Sequence, residues 1–340
     1  MPGNRLVLFR NVYDSQMPLG VLDVSVPTAP VLDCALSPAQ GGRFLSATKI
    51  AFWIEDYLGV ADLATGVVSQ TARLPAAAQN GAFSADGTAF AYRVLDDAGG
   101  VTGHLFMHGT DRTIYSQEPM GGHGGPGPDF GPYDQVSFSA DGTEFVDYML
   151  FRPPSGPSNL AVYHLDGSLA FELGGSIGVW GATGHSLYFT VPSSSSQTIK
   201  ELDQLDFNGL QHSVSSRLNG YWWPVLSPDG ASIVYNVADN SVPDCGGLQH
   251  LWSVDLQTGN TTQLSKAVSS TPAFVGPKTV WSNEEQLGPC GLGGPSVQTG
   301  MILAHDLNTG ADSRVDLSFY RDLTGSPAQY VTAAWVLDIR

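Results

Sequence analysis

Short runs in which apolar and polar positions alternate follow one another along the whole chain, separated by breaks rich in Gly, Asp and Pro. Two kinds of break recur. The first is Ser-x-Asp-Gly between apolar runs, as in AFSADGTAFAY (Ser84 to Gly87), SFSADGTEFVDY (Ser139 to Gly142) and VLSPDGASIVY (Ser227 to Gly230). Asp-Gly flanked by alternating apolar residues is a strong hairpin signal, because Gly takes positive φ at no steric cost. The second is Asp-Leu-x-Thr-Gly, at Asp62 to Gly66, Asp255 to Gly259 and Asp306 to Gly310, each between two more strand-like runs. Between Ser227 and Gly259 both marks occur in one unit, which therefore reads as four strands, A to D, joined by tight A-to-B and C-to-D turns.

The unit repeats. Full copies are predicted at about 43–74, 82–117, 136–174, 178–218, 223–265 and 272–317, the fourth with Gly184 and Asn208-Gly209 in place of the two marks. The N-terminal segment 1–35 supplies runs that match strands B, C and D, and the C-terminal segment 327–340 supplies one that matches strand A. A composite sheet made from both ends closes a ring and removes exposed sheet edges. The expectation is a single all-β domain, a β-propeller of four-stranded antiparallel blades, over residues 1–340. Seven blades, at about 49 residues each, are favoured, with six or eight as alternatives.

LSPDGASIVY with LWSVDLQTGNTTQL resembles the repeat of the TolB-type, or WD40-like, β-propellers, and weaker copies cover essentially the whole chain. The resemblance implies a propeller, often of the cell envelope, that displays a binding face. TolB carries an α/β domain before its propeller, and prolyl-oligopeptidase-like enzymes, which also resemble this repeat, add a hydrolase domain. Neither is expected in these 340 residues, so no catalytic residue is carried over from either.

Charge narrows the partners. Fifteen Lys and Arg stand against 32 Asp and Glu, a net of −17, which is the wrong sign for releasing counterions from nucleic acid or for an anionic membrane. No stretch is apolar for long enough to predict a membrane span. The N-terminus, MPGNRLVLFRNV, lacks the apolar centre of a signal peptide. Few lysines, many small polar residues and a candidate cysteine pair nevertheless fit a periplasmic or extracellular protein. A monomer is expected.

In a four-strand meander the B-to-C and D-to-A connections share one end of the blade, and the long polar segments fall there. Segments 117–134, 153–159, 192–201, 218–224, 238–247 and 283–299 make that end the candidate binding face. It carries Phe130, Tyr133, Tyr221, Trp222 and Trp223 beside Asp129, Asp134, Glu284 and Glu285. Aromatic rings with carboxylates suit a protein, peptide or glycan ligand. The competing reading packs the tryptophans between blades. Cys245 and Cys290 sit in B-to-C connections of successive blades, in PDCGG and GPCGLGG, which makes them the candidate disulfide and leaves Cys34 free.

Motifs for catalysis are sparse. His104 and His108 would share a strand face, but no third ligand accompanies them, so no metal or other cofactor is predicted. A divalent cation in the central channel, held by several blades, stays open as an alternative. Gly174-Gly175-Ser176-Ile177-Gly178 satisfies G-x-S-x-G, yet a strand follows where a nucleophile elbow needs a helix. The function expected is a non-catalytic binding or scaffold propeller. The alternative is a hydrolase or lyase with a channel-mouth site, in one version metal-dependent.

Overall fold

The computed structural model describes residues 6–11, 19–36, 39–96, 100–117, 135–139, 141–148, 160–173, 178–180, 186–192, 199–206, 211–219, 222–239, 248–287, 296–318 and 334–339. The chain packs as two compact units, residues 39–187 and residues 1–38 with 188–340. Every sheet in them is antiparallel and every blade has four strands.

The composite blade is built from β1 (Leu6–Asn11), β2 (Gly20–Asp23), β3 (Val31–Ala35) and, from the other end of the chain, β27 (Ala334–Ile339), in the order β27-β1-β2-β3. The first full blade comprises β4 (Gly41–Ser46), β5 (Lys49–Ile54), β6 (Tyr57–Asp62) and β7 (Val67–Arg73). The second comprises β8 (Asn80–Phe83), β9 (Ala89–Leu95), β10 (Val101–Met107) and β11 (Thr110–Gln117). The third comprises β12 (Gln135–Phe138), β13 (Glu144–Tyr148), β14 (Leu160–His164) and β15 (Leu169–Leu173). The fourth comprises β16 (Gly178–Trp180), β17 (Ser186–Pro192), β18 (Ile199–Asp206) and β19 (Gln211–Asn219). The fifth opens with β20 (Trp222–Leu226), β21 (Ser232–Asp239) and β22 (Leu248–Asp255), then β23 (Thr261–Gly276); the sixth adds β24 (Thr279–Leu287), β25 (Ser296–Asp306) and β26 (Ala311–Arg314). β23 serves both, as outer strand of the fifth blade and inner strand of the sixth, so these two blades join as a seven-stranded sheet. The seven blades make the fold a β-propeller, with the composite blade as expected.

The two sequence marks fold by their own chemistry. The Ser84 hydroxyl donates to Asp86 Oδ1 at 2.7 Å and accepts the Ala89 N–H at 2.9 Å, while the Gly87 N–H closes on the Ser84 carbonyl with φ of 72°. Ser139 with Asp141, and Ser227 with Asp229, repeat the arrangement at 2.7 and 2.6 Å. In the second mark a carboxylate caps the turn: Asp255 Oδ1 accepts the N–H groups of Gln257 and Thr258 at 3.0 and 2.7 Å. Such side-chain bonds to nearby backbone groups are why Asp and Ser favour turns.

Burial follows position in the blade. β9, second from the inside, is buried through Ala89 to Arg93, packed on both faces; β10 alternates; β7 and β26, at the outer edges, are largely exposed. The core therefore lies between sheets. Trp53, Phe83, Phe90 and Tyr92 pack together between the first and second full blades. Phe138, Phe145 and Tyr163 pack with Ala91 and Leu105 between the second and third. Val234, Leu251, Phe274 and Val280 do so between the fifth and sixth.

Candidate functional site

Asp129, Phe130, Tyr133, Asp134 and Tyr221 lie outside the described residues, as do Cys245 and Cys290 and the Gly174 to Ile177 part of the G-x-S-x-G match. Trp222 and Trp223 belong to β20, not to a connection, and Glu284 and Glu285 belong to β24, which runs on to Leu287 before the segment 288–295. The strands are longer than the sequence reading made them, because alternating polar residues at a strand end pair as well as apolar ones. Glu284 accepts both contacts of Arg314 Nη2 from β26, at 3.1 and 3.2 Å. Cys34 is free and half-buried; burial first, then the neighbouring Asp33 carboxylate, push its thiol pKa up. His104 and His108 do not share a face. β10 ends at Met107, and His108 occupies the turn with φ of 52°.

Three polar constellations inside the blades were not foreseen. In the second blade His104 of β10 places Nδ1 2.9 Å from Asp111 Oδ2 on β11 and Nε2 3.0 Å from Thr102 Oγ1. Tyr92 of β9 donates its phenol to Asp111 Oδ1 at 2.7 Å and stacks on the imidazole at a 5.0 Å centroid distance. Burial, then the bond to Asp111, push the Tyr92 phenol pKa far up.

The second constellation crosses from blade to blade. Arg93 of β9 is fully buried, and its Nη2 donates to Asp147 Oδ1 on β13 of the third blade. Tyr115 of β11 donates to the other oxygen at 2.5 Å. Gly103 on β10 makes this reach feasible, since a Cβ there would stand 2.1 Å from the Tyr115 ring.

The third, in the sixth blade, has the connectivity of a nucleophile, base and orienting acid. Ser282 Oγ on β24 lies 2.5 Å from His305 Nε2 on β25, and His305 Nδ1 bonds Asp312 Oδ1 on β26. Ser265 of β23 donates to Asp312 Oδ2 at 2.5 Å. Asp312 takes the proton on Nδ1, and with the imidazole neutral Nε2 accepts the Ser282 hydroxyl. Burial pushes the His305 pKa below its ordinary value, against the pull of Asp312. Acyl transfer also requires a carbonyl within about 3 Å of the nucleophile and donors for the oxyanion. Ser282 and His305 are each only 2% exposed, so no substrate reaches that hydroxyl in this conformation. The triad is an interior tie. A sequence signal for it exists: His104…Asp111 and His305…Asp312 both bracket a C-to-D turn at the same spacing.

Among the described residues no three His, Cys, Asp or Glu side chains gather as a metal site. What the geometry does gather is chain length at one end of the blades. The connections of eight or more residues, 12–19, 118–134, 149–159, 240–247, 288–295 and 315–333, all join B to C or D to A, whereas the A-to-B and C-to-D connections run to seven residues at most.

No family model matches the sequence, and no curated protein does. Solved structures are similar over most of its length. An oligogalacturonate lyase in complex with manganese is 12% identical over 93% of this chain and 92% of that one, with a TM-score of 0.57. The β-propeller domain of the Trilobed protease from Pyrococcus furiosus is 10% identical over 81% and 82%, with a TM-score of 0.52. TolB from Acinetobacter baumannii is 17% identical over 76% of this chain and 62% of its own, with a TM-score of 0.45. At these identities the likeness is one of fold, the β-propeller that the repeat marks predict.

Proposed function

We propose that this chain is a non-catalytic binding propeller of the cell envelope, working as a monomer without a resident cofactor, whose B-to-C and D-to-A connections receive a protein, peptide or glycan. The observation that supports this reading is the distribution of chain length: the long connections fall at that end of the blades, while the other end is pinned by self-bonded turns. Loops displayed on a rigid sheet scaffold are the common device for recognition. The segments carry aromatic residues and carboxylates together, which suits hydrogen-bonding neutral or cationic ligands, and the net charge of −17 disfavours anionic ones. Among the described residues no helix is long and apolar enough to cross a membrane.

The test uses the purified full chain on peptide and glycan arrays, with two variants: 118–134 replaced by a short Gly-Ser linker, and Phe130→Ala with Tyr133→Ala in that connection. Binding is expected to fall at least tenfold in one or both while the circular dichroism spectrum and melting temperature stay within error. In a parallel arm the chain is given divalent cations and polyuronate or peptide substrates, since a lyase and proteases share its fold. Turnover there, abolished by chelation or by either variant, would replace the binding reading with the hydrolase or lyase one.

A further inference from the structure

β23 gives the fifth and sixth blades a junction unlike the others. Among the described strands, two or more residues separate the outer strand of one blade from the inner strand of the next at every other D-to-A step. Here none does. The ladder to the fifth blade ends at Val268, paired with His250 on β22, and the ladder to the sixth begins at Ser269, paired with Glu284 on β24. Consecutive Cα atoms stand about 3.8 Å apart, so a shift of either ladder reaches the other through one peptide unit, with no slack to absorb it.

Side chains of the fifth blade grip this crossing on both sides of the step. Asn236 on β21 donates its amide to the Ser269 carbonyl at 2.7 Å, and both residues are fully buried. His250 Nδ1 stands 3.3 Å from the Ala267 carbonyl. Ser269 therefore belongs to the sixth blade's ladder while a side chain of the fifth holds its carbonyl. Farther along, Ser265 bonds Asp312 on β26, and Val234 and Leu251 of the fifth blade pack with Phe274 and Val280 of the sixth. Lys278 and Asp229 add an exposed pair at 3.4 Å, which contributes little. Parting the two blades would leave the buried Asn236 amide without its acceptor and open a shared apolar core in the same step.

We propose that the fifth and sixth blades are one cooperative unit with Asn236 as its pin. They open and close as a single body, so that the two B-to-C connections they carry answer to one equilibrium. That equilibrium is separate from the one that opens the first full blade, which belongs to the other compact unit of the chain.

Amide hydrogen exchange of the full chain in rising, sub-denaturing urea reads the opening of each blade. The slowest amides of β21 and β22 and those of β24 and β25 should converge on one protection factor with one urea slope, distinct from those of β5 and β6. Two variants test the cause. Asn236→Leu keeps the volume and removes the donor, and two glycines inserted between Val268 and Ser269 put slack into the step. In each, protection of the two blades should separate by at least tenfold. Distinct values for the two blades in the wild type, a single value for every blade, or coincidence that survives either variant would overturn the proposal. Should Asn236→Leu not fold, the wild-type pattern and the insertion decide between the same outcomes.

Discussion

Arg93, Asp147 and Tyr115 show what a single residue contributes in a fold whose core lies between sheets. A guanidinium buried this deeply is tolerable only because a carboxylate on the next blade meets it and a phenol occupies that carboxylate's second oxygen. Removing one partner strands the other. Arg93→Met or Asp147→Leu alone should therefore cost about 3–5 kcal/mol, whereas the double variant should recover much of that loss. Urea unfolding of the four proteins gives the coupling energy directly; simple addition of the two single losses would mean that the pair does not join these blades energetically.

At the scale of the element, the turns were readable before the fold because each carries its own hydrogen-bonding partners. Ser227 Oγ accepts from the Ala231 and Ser232 N–H groups at 3.1 and 3.0 Å and donates to Asp229, all within the motif that marks the turn. Ser227→Ala leaves those donors unmet and should lower stability by about 1–2 kcal/mol at pH 7. The Ser227 hydroxyl, then the Ala231 N–H, hold the Asp229 carboxyl below the usual carboxylate range. That contribution is present above about pH 4 and disappears as pH falls through the lower folded value, so the variant should show a flatter acid limb in urea midpoints taken at pH 7, 4 and 3. An unchanged limb would assign the shift to another partner.

Beyond the His-to-Asp spacing across the C-to-D turns, the inner polar ties were not readable, for an equally physical reason. Ser282 stands opposite Leu303, and His305 opposite Val280, so the bond from Ser282 to His305 runs diagonally between rungs and needs the register before it can be inferred. β23 is a related case. The sequence reading breaks off at residue 265 and resumes at 272, but the chain crosses from one blade to the next as one strand, Thr261–Gly276, with register shifts instead of a turn. Nothing between Ser265 and Pro272 supplies the glycine that a tight reversal would require.

For the whole molecule the composite blade is the decisive element. Val7 pairs with Ile339 and Asn11 with Ala334, rungs that join residues from opposite ends of the chain. Contacts of such long range are closed late and slowly in folding, after local hairpins have formed. The pairing has a further, mechanical consequence. The strands are antiparallel, with the start of β1 beside the end of β27, so tension applied through residues 6 and 339 falls on one rung at a time. Held in optical tweezers by those two points, the molecule should peel β27 from β1 in a separate low-force step, ahead of the main rupture, as a zipper opens from its tab.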